Sequence, residues 1–551
     1  MNPPESSGLV PRVTLRGDMR PPLAVLQRYP AHGFTLGGLL ASRTRDDAAR
    51  TLLWYEGRQT SYADFARRVD AAARALAARG IGAGDRVGAM ATNSTDYVVL
   101  LFALARLSAI LVPVNPEFGP QEGGYILQHA GVRAVAVVPA ALEAARAAAQ
   151  SLARPAWFFM LEGGSEGVPR LDELIAASPS RALPPEPAPE TTCLMLYTSG
   201  TTGFPKGVMH SQRSFVMAGE GFVARMWLQP EDRLLCVLPM FHINALFYTI
   251  AGTLAAGASV ALVPKFSASQ FWHTAVASGA TQANIIAAVG NILARRPRSE
   301  FAPNHRLRVV YGAPISPDLE RVFREEFGVP MLIEGYGMTE IPGACNNPYD
   351  GEKRPLSMGQ AATHPDRTVK FAELRVVDDE GRDLPDGTEG ELWVRTPILM
   401  QGYYKDPAQT AAAMHDGWFA TGDLVRRDAD GYYYFVARKK DIIRRRGENI
   451  SGAEIDRVAG DHPAVVQCAA IPVPAELGED EILLAVVRKP GAELSAQEIA
   501  DWCAQRLAPI KVPRYVAFVD SLPQTATHRV AKFMLRGDKD LLADATDLAR
   551  G

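Results

Sequence analysis

The chain has 551 residues, 47% of them hydrophobic and 22% charged, and a formal net charge of −3 at pH 7. This is more residues than one hydrophobic core usually accommodates, so we predict a large domain and a smaller one. The near-neutral net charge excludes nucleic acid and anionic membranes as general partners. The five cysteines are far apart and lack CxxC spacing, which excludes a zinc site and a disulfide framework and predicts a reduced, cytoplasmic protein.

The first part of the chain alternates between helical and strand patterns. Ser61 and Asp64 have the spacing of a helix cap, and Phe65, Val69 and Leu76 follow at helical spacing. After them, strands are predicted at residues 86–91, 109–114 and 134–138, and helices at residues 96–107, 122–130 and 140–152. Such alternation predicts βαβ units with right-handed crossovers around a parallel sheet.

Residues 240–263 carry no charge and are numerous enough to span a bilayer. Two glycines and several polar side chains interrupt the stretch, which argues against a membrane helix. A buried helix over residues 244–255, a turn at Gly257 and a strand over residues 259–263 explain it better, so no membrane span is predicted.

The later part of the chain changes character twice. Residues 269–278 predict a helix and residues 282–286 and 307–311 predict strands, whereas residues 371–379 and 390–395 predict antiparallel strands around Asp-Gly turns. Beyond residue 440 a compact α+β unit is predicted, with helices at 452–459 and 495–507 and strands at 465–471, 482–488 and 515–519. The predicted fold class is α/β, with helix-flanked, mostly parallel sheets, a small antiparallel barrel-like part and a small α+β C-terminal domain.

Residues 197–207 read Tyr-Thr-Ser-Gly-Thr-Thr-Gly-Phe-Pro-Lys-Gly and follow an apolar run at residues 193–196. Backbone N–H groups at glycines, hydroxyl groups and a mobile ammonium group are what binds a polyphosphate in a loop. The stretch is not a Walker A loop, because Pro205 stands where that motif needs its second glycine. An ordinary Ser/Thr/Gly turn is the alternative for a loop of this composition.

The whole string resembles the phosphate loop of the adenylate-forming (ANL) superfamily, which contains acyl-CoA synthetases, nonribosomal adenylation domains and luciferases. Within that superfamily the chain is most similar to stand-alone acyl-CoA synthetases of the carnitine/crotonobetaine and medium-chain type. The resemblance implies a catalytic role for Lys206 and a place at the metal for Thr202. It also implies nucleotide contacts at Thr198, Ser199, Gly200, Thr201, Thr202 and Gly203.

Residues 335–340 read Gly-Tyr-Gly-Met-Thr-Glu and match a second motif of the superfamily. The resemblance implies that Tyr336 stacks on adenine, Thr339 contacts the α-phosphate and Glu340 binds Mg²⁺. An aromatic face, a neutral donor and a hard oxygen ligand suit those partners. A turn with a solvated glutamate is the alternative for the motif alone. Further nucleotide contacts are implied at Gly335, Gly337 and Met338, and at the upstream residues Gly312, Ala313 and Pro314.

Two further stretches resemble the ribose and hinge motifs of the superfamily. Asp423 ends the aromatic-rich residues 418–423, and its carboxylate is implied to accept hydrogen bonds from both ribose hydroxyls. Arg438 is implied as a ribose or phosphate contact and Lys440 as the hinge, although Ala437 replaces the usual glycine. The implied domains are residues 1–439, with the nucleotide and acyl pockets, and residues 440–551, a mobile lid.

The acyl and coenzyme A sites are implied in the same way. His242 falls where the family gates its acyl pocket, although a lone histidine on an apolar run is otherwise a core residue. Residues 444–450 are predicted to form a loop, and within it Arg446, Gly447 and Glu448 match the segment that lines the pantetheine tunnel. Arg446 restricts the backbone of that loop, or the three arginines bind CoA phosphates. The implied acyl pocket is bordered by Asn244, Phe247, Asn284, Ile285, Ala287, Ala288 and Val289, together with Gly335.

The main departure from the superfamily lies near the C-terminus. Residues 523–532 align with the segment that carries the adenylating lysine, but His528 replaces its glycine and Arg529 replaces its lysine. A planar guanidinium is not equivalent to a compact ammonium group at a site that needs close bonds to several oxygens. Arg529 takes the role, or Lys532 substitutes for it, or adenylation is slow; we expect Arg529 to take it.

The resemblance implies ATP-dependent activation of a carboxylic acid to an acyl-adenylate, followed by transfer to coenzyme A, with ATP, Mg²⁺ and coenzyme A as cofactors. Small or apolar lining residues, with no acidic anchor near His242, favour a hydrophobic aliphatic or secondary-metabolite acid over an amino acid. The alternatives are a ligase that loads a carrier protein and a non-catalytic acyl- or nucleotide-binding homologue. The predicted partners are small molecules, and a homodimer stays open.

Overall fold

The computed structural model describes residues 19–179, 182–198, 205–445, 448–474, 480–524 and 530–549. The chain divides into two compact units, each described by itself below. The first unit comprises Met1–Thr198, Pro205–Leu374 and Val394–Gly417, and the second contains Arg375–Trp393 and Trp418–Gly551. The predicted α/β fold class, with helix-flanked and mostly parallel sheets, is confirmed by the strand order and pairing in the first unit.

The alternating pattern of residues 61–152 folds into a seven-stranded sheet of the first unit. Its five strands from the phosphate-loop strand outward are parallel neighbours, as the βαβ pattern predicts, and two antiparallel strands complete the other edge. In spatial order the strands are Gly402–Tyr403, Lys206–Ser211, Thr192–Thr198, Ile110–Val114, Arg86–Met90, Ala134–Val137 and Trp157–Met160.

A nine-stranded sheet is the second sheet of this unit. Its six central strands are parallel, and antiparallel strands flank them at both edges. In spatial order the strands are Gln360–Ala361, Ile341–Asn346, Leu332–Met338, Val309–Gly312, Gln282–Asn284, Arg233–Cys236, Ser259–Leu262, Thr51–Tyr55 and Arg58–Ser61. Of these, only Ser259–Leu262, Gln282–Asn284 and Val309–Gly312 were predicted as strands from the sequence.

The helix Tyr62–Ala78 follows the apolar periodicity that predicted it. Ser61 caps its helix, since its hydroxyl oxygen accepts a hydrogen bond from the Asp64 N–H, and Phe65, Val69 and Leu76 are buried along one face. The α-helices are Pro22–Gln27, Leu36–Asp47, Tyr62–Ala78, Thr95–Arg106, Pro120–Ala130, Leu142–Ala149, Leu171–Ala176, Gln212–Met226, Ala251–Ala256, Phe271–Ser278, Ala287–Arg295, Pro317–Arg321 and Pro407–Ala412.

The uncharged stretch that was long enough for a membrane span is a helix, a turn and a strand, as predicted. A π-helical segment, Asn244–Ile250, continues into the α-helix Ala251–Ala256. Gly257 then ends the helix with a φ of +67°, and the strand Ser259–Leu262 follows. No helix among the described residues is both long and apolar enough to cross a membrane.

The second unit contains a group of strands followed by the predicted α+β part. The first strands are Glu373–Val377, Glu389–Arg395, Trp418–Arg427 and Tyr433–Arg438. The α+β part has the strands Val465–Pro474, Asp480–Arg488, Tyr515–Phe518 and Thr546–Asp547 in one sheet, and the helices Gly452–Gly460, Ala496–Ala504, Lys532–Gly537 and Lys539–Ala543.

The interpretation of residues 444–450 as a loop is wrong for its described residues. Ile442–Arg445 and Glu448–Ser451 form an antiparallel pair, in which Ile443 lies opposite Ile450. Both isoleucines are buried, at 0% and 1% exposure, in the core of the second unit. The three arginines and the glycine favoured a loop in the sequence-based prediction. Burial of the two β-branched isoleucines stabilises strands instead.

All five cysteines are buried and unpaired with one another. Burial raises the pKa of the Cys193 thiol, and it raises the pKa of Cys236, Cys345 and Cys468 to about 12 and that of Cys503 to about 11. The thiols are therefore protonated at neutral pH, as expected for structural cysteines in a protein without a disulfide framework.

A buried carboxylate joins three distant segments of the first unit. Glu220 accepts hydrogen bonds from Nε2 of His32 at 3.0 Å and from Nε2 of His364 at 3.2 Å. Nδ1 of each histidine accepts a backbone N–H, from Phe34 and from Asp366, which fixes Nε2 as the donor in both rings. Although burial opposes it, these bonds lower the pKa of Glu220 to about 2.

Replacing Glu220 with glutamine is expected to lower the free energy of unfolding by about 2–3 kcal/mol at pH 7, because one buried histidine N–H loses its charged acceptor. The pKa of Glu220 falls from 4.5 to about 2 on folding, so its contribution is complete above pH 4.5 and is lost as the pH falls toward 2. Urea unfolding at several pH values measures both effects. Glu143→Gln, on an exposed ion pair, is the control and should change stability by less than about 0.5 kcal/mol.

Candidate active site

Strand register places two of the predicted phosphate contacts opposite each other. Thr198 ends one strand and Lys206 begins the next, and the two residues are paired across the antiparallel ladder. The backbone therefore presents both residues at the same end of the strand pair, where the phosphate-loop motif connects them. Five predicted contacts in that connection lie outside the described residues: Ser199, Gly200, Thr201, Thr202 and Gly203.

The second motif lies mainly on a strand and not in a turn. Gly335, Tyr336, Gly337 and Met338 end the strand Leu332–Met338. Side chains alternate along a strand, so Tyr336 and Met338 share one face, where the Tyr336 hydroxyl lies 3.9 Å from the Met338 sulfur. The two glycines occupy the opposite face.

Thr339 and Glu340 form the tight turn from that strand into Ile341–Asn346. The carboxylate of Glu340 is buried, with 7% of the residue exposed. Its backbone carbonyl accepts a hydrogen bond from the Met400 N–H at 2.9 Å. The turn is thus fixed from outside the motif, which the sequence did not predict.

Tyr403 connects the two motifs and was missed from the sequence. Its hydroxyl donates a hydrogen bond to Oε1 of Glu340 at 2.9 Å, and Nζ of Lys206 lies 4.7 Å from the centre of its ring. Tyr403 reaches this position because the short strand Gly402–Tyr403 pairs with the strand that begins at Lys206. Burial and the negative charge of Glu340 raise the pKa of Tyr403, so the hydroxyl stays protonated and remains a donor.

His210 fixes the other residue of the turn. Its Nε2 lies 2.7 Å from the Thr339 carbonyl oxygen, which only accepts, so Nε2 carries the proton; its Nδ1 lies 3.2 Å from the Ser214 hydroxyl. The ring is fully buried against Phe247, with ring centroids 4.7 Å apart. Burial lowers the pKa of His210 to about 4, so the ring is neutral at physiological pH. Apart from its position in a buried strand, no feature of the sequence pointed to this residue.

We expect His210→Leu to lower stability and adenylation together, whereas His210→Gln, which keeps a donor near Nε2, preserves more of both. The pKa of His210 falls from 6.5 to about 4 on folding, so the stability associated with the neutral ring is complete above pH 6.5 and is lost as the pH falls toward 4. That shift corresponds to about 3 kcal/mol. Stability should therefore fall more between pH 7 and pH 4.5 in the wild-type chain than in either variant. Equal pH dependence in all three chains would contradict a neutral His210.

The predicted acyl-pocket residues lie in and around the core of the first unit. Phe247, Ile285, Asn284 and Val289 are buried, whereas Ala287 is half-buried and Ala288 is exposed. Asn284 donates a hydrogen bond from Nδ2 to the Thr249 hydroxyl at 2.9 Å. The buried Oδ1 atoms of Asn244 and Asn284 have no donor among the described residues.

Gly312 brings the predicted adenine contacts next to this group. It ends the strand Val309–Gly312, and a Cβ atom on it would lie 3.3 Å from Cγ1 of Ile285. Ala313 and Pro314 follow directly, half-buried and exposed. The ring of His242, the predicted gate, is half-buried and lies edge-on to Phe241 with centroids 4.5 Å apart.

In the second unit, Asp423 and Arg438 are paired across two antiparallel strands, with Nε and Oδ1 3.5 Å apart. Asp423 is 4% exposed, and its N–H donates to the Thr421 hydroxyl at 3.1 Å. Lys440, the predicted hinge, is exposed in the short turn Lys439–Asp441. Arg446, Gly447 and Arg529, together with the side chain of Glu448, lie outside the described residues.

Lys532 has a structural partner in the second unit. Its Nζ lies 2.5 Å from Oδ2 of Asp456, whose Oδ1 accepts a hydrogen bond from the Ala470 N–H at 2.6 Å. The Lys532 side chain is only 13% exposed. A lysine engaged in this way would leave a buried carboxylate unpaired if it moved to a substrate, which disfavours Lys532 as the substitute for the usual catalytic lysine.

Comparison with known families finds matches in both the N-terminal and the C-terminal parts of the chain. Residues 40–404 match the family described as AMP-binding enzyme, and residues 454–529 match the AMP-binding enzyme C-terminal domain. The sulfoacetate–CoA ligase of Cupriavidus necator is 34% identical over 507 residues, which cover 91% of this chain and 97% of that protein. The indoleacetate–CoA ligase of Aromatoleum aromaticum is 33% identical over 496 residues, which cover 88% and 94%.

Solved structures give the same result for the fold. The anthranilate CoA ligase AuaEII, in complex with anthranoyl-AMP, superimposes with a TM-score of 0.82 at 27% identity, covering 94% of this chain and 99% of that one. ATP-bound MatB from Rhodopseudomonas palustris superimposes with a TM-score of 0.79 at 28% identity, covering 91% and 98%. The similarity therefore extends over nearly the whole chain in sequence and in structure.

Proposed function

The chain belongs to the AMP-binding enzyme family and is an AMP-forming acyl-CoA ligase, and from that premise we propose the residues that carry its two half-reactions. The observation that best supports this assignment is the position of Tyr403, which contacts both Lys206 of the phosphate loop and Glu340 of the second motif. Two motifs that are far apart in sequence thereby share one side chain.

In the first half-reaction a carboxylate attacks the α-phosphorus of ATP. The acid is already a nucleophile at neutral pH, so no general base is needed, and the barrier is the approach of one anion to another. We assign charge neutralisation to Lys206, the donors of residues 198–203 and Arg529, and contact with the α-phosphate to Thr339. Tyr336 stacks on the adenine, and Asp423 and Arg438 hold the ribose.

Glu340 suits the Mg²⁺ that this chemistry needs. Its carboxylate offers hard oxygen ligands, and a neutral hydroxyl donor keeps Oε1 in place. No group of three or more His, Cys, Asp or Glu side chains in the described part of the chain could hold a metal ion, so most remaining ligands would be phosphate oxygens and water. When bound, the ion would neutralise charge on the phosphates.

In the second half-reaction a thiol displaces AMP from the acyl-adenylate. We propose coenzyme A as that thiol, a domain boundary between residues 439 and 440, and rotation of the second domain about Lys440. Residues 446–448 would then line the path of the pantetheine arm. The Lys439 side chain, beside the hinge, forms ion pairs with Asp379 and Glu391 within the second unit.

ATP–pyrophosphate exchange tests the adenylation step without coenzyme A. A broad panel of carboxylic acids should include at least one that supports exchange, and adding coenzyme A should then release AMP and a thioester of the expected mass. If exchange occurs but the acyl group is transferred only to a phosphopantetheinyl carrier protein, that carrier protein and not coenzyme A is the acceptor. Absence of exchange with every acid would contradict the proposed adenylation.

A further inference from the structure

Arg225 is a buried cation that the assignments above do not use. It lies near the end of the helix Gln212–Met226 and is 3% exposed. Its Cζ lies 5.0 Å from the ring centre of Tyr248, 5.5 Å from that of Tyr311 and 5.6 Å from that of Phe222. Its Nε and Nη1 are buried without a hydrogen-bond acceptor, and it forms no ion pair within the part of the chain that the structure describes.

The glycine face of the second motif covers this group. A Cβ atom on Gly335 would lie 2.7 Å from the Tyr311 hydroxyl oxygen, and one on Gly337 would lie 2.5 Å from the Tyr248 hydroxyl oxygen. Gly343 has a φ of +95°, and Nη2 of Arg225 lies where a side chain at this position would begin. A Cβ atom on residue 343 would therefore collide with Nη2 of Arg225. Gly337 itself is exposed near the end of its strand.

The same group adjoins the residues proposed for the acyl pocket. Tyr311 is the strand partner of Asn284, and Asn284 donates a hydrogen bond to Thr249, the neighbour of Tyr248. Phe247, on the same π-helical segment, packs against the helix that carries Arg225 through Phe215, with ring centroids 5.3 Å apart. Arg225 therefore stands behind the pocket, on the face of the motif strand opposite Tyr336.

A buried guanidinium without a carboxylate partner is costly, and aromatic faces offset only part of that cost. A ligand that carries an anion into the pocket would supply the missing acceptors. Guanidinium groups bind the planar or tripodal oxygens of carboxylates and sulfonates through several parallel hydrogen bonds. The sequence-based prediction of a hydrophobic acid considered only the small and apolar lining residues, and Arg225 lies far from them in the sequence.

We propose that Arg225 determines acid specificity and that the acid activated by this enzyme carries a second anionic group, a carboxylate or a sulfonate, bound by this guanidinium. The proposal rests on the proposed function, since it names the substrate class of the same acyl pocket. The carboxylate that reacts lies at the nucleotide end, and the second anion lies at the end closed by Arg225.

Matched pairs of acids test the proposed substrate class with the wild-type enzyme. Each pair differs by one charge: succinate against its monomethyl ester, and sulfoacetate against methylsulfonylacetate. In ATP–pyrophosphate exchange we expect the dianion of at least one pair to have a kcat/KM at least about tenfold higher than its neutral-ended partner. The pair that shows this preference distinguishes carboxylate from sulfonate.

The outcomes also separate this proposal from the proposed function. The role of Arg225 would be overturned if monoanionic acids supported pyrophosphate exchange and the neutral-ended member of both pairs had the higher kcat/KM. The ligase assignment would then remain intact. No exchange with any member of a broad acid panel would instead contradict the ligase assignment.

Variants of Arg225 provide a second measurement. Arg225→Met is expected to abolish the preference for the dianion mainly through a higher KM for that acid, with the KM for ATP unchanged, whereas Arg225→Lys retains part of it. Without acid, the Met variant should melt at the same or a higher temperature, because an unpaired buried charge has been removed. Added dianion should raise the melting temperature of the wild-type chain and not that of the Met variant.

Arg43→Met is the matched control for a buried arginine with a purely structural role. Arg43 is 1% exposed and donates hydrogen bonds to the carbonyl oxygens of Leu254 and Ala255. Its replacement should lower the melting temperature and leave the ratio of kcat/KM between paired acids unchanged. If the Arg225→Met variant has a lower melting temperature and the wild-type ratio of kcat/KM between paired acids, Arg225 has a purely structural role like that of Arg43. That result would overturn the proposal.

Discussion

Glu340→Gln is expected to slow ATP–pyrophosphate exchange by about 10²–10³-fold while leaving the fold intact. The substitution keeps the shape of the side chain and an acceptor for the Tyr403 hydroxyl, but it removes the negative charge proposed to hold Mg²⁺ against the phosphates. Raising the Mg²⁺ concentration should recover part of the lost rate in the variant and not in the wild-type chain. Initial exchange rates over a range of Mg²⁺ concentrations measure this.

Tyr403→Phe is the control for this prediction. It removes only the hydroxyl that donates to Glu340 at 2.9 Å and keeps the ring that faces Lys206. A hydrogen bond to a charged group contributes about 1.5–3 kcal/mol, so an effect of about ten- to a hundredfold is expected, smaller than that of Glu340→Gln. If Glu340→Gln exchanged pyrophosphate at the wild-type rate, Glu340 would not be the metal-binding carboxylate.

Arg529→Ala is expected to lower adenylation by about 10²-fold, because a cation proposed to sit at the reacting oxygens is lost. Thioester formation from a supplied acyl-adenylate should change little, since the mechanism places Arg529 in the first half-reaction only. Gly447→Leu should do the reverse and slow mainly the transfer to the thiol. Single-turnover measurements that start either from acid and ATP or from the acyl-adenylate separate the two effects.

Lys532→Met distinguishes the two candidate cations. Lys532 pairs with Asp456 at 2.5 Å, so its removal should leave a buried carboxylate unpaired and destabilise the second unit by about 3–5 kcal/mol. The folded fraction should still adenylate at close to the wild-type rate. Asp456→Asn combined with Lys532→Met should restore much of the stability. A large loss of adenylation in the double variant, together with a mild effect of Arg529→Ala, would assign the role to Lys532.

Local patterns predicted about half of the α-helices and fewer than half of the strands among the described residues. The βαβ alternation of residues 61–152 became the parallel part of one sheet, and the uncharged residues 240–263 became a helix, a turn and a strand. The interpretation of residues 444–450 as a loop was wrong, because the burial of Ile443 against Ile450 depends on a core formed by residues much later in the chain. Local composition does not contain that information.

The motif residues of the candidate site were predicted from the sequence, but the residues that hold them were not. Tyr403 and His210 contact the motif that ends in Thr339 and Glu340 only after strands and helices from distant segments have packed together, and Arg225 reaches it only through Tyr248 and Tyr311. None of the three has a distinctive sequence neighbourhood of its own. Tertiary contacts, and not spacing along the chain, identify them.

The burial of the cysteines also affects the fate of the activated acyl group. A mixed anhydride with AMP reacts with any thiolate it meets, and thiolate, not thiol, is the nucleophile. All five cysteines are buried, and burial raises their pKa values well above neutrality. The enzyme therefore presents no reactive thiolate of its own to the intermediate, and acylation of its cysteines does not compete with the acceptor that arrives from solution.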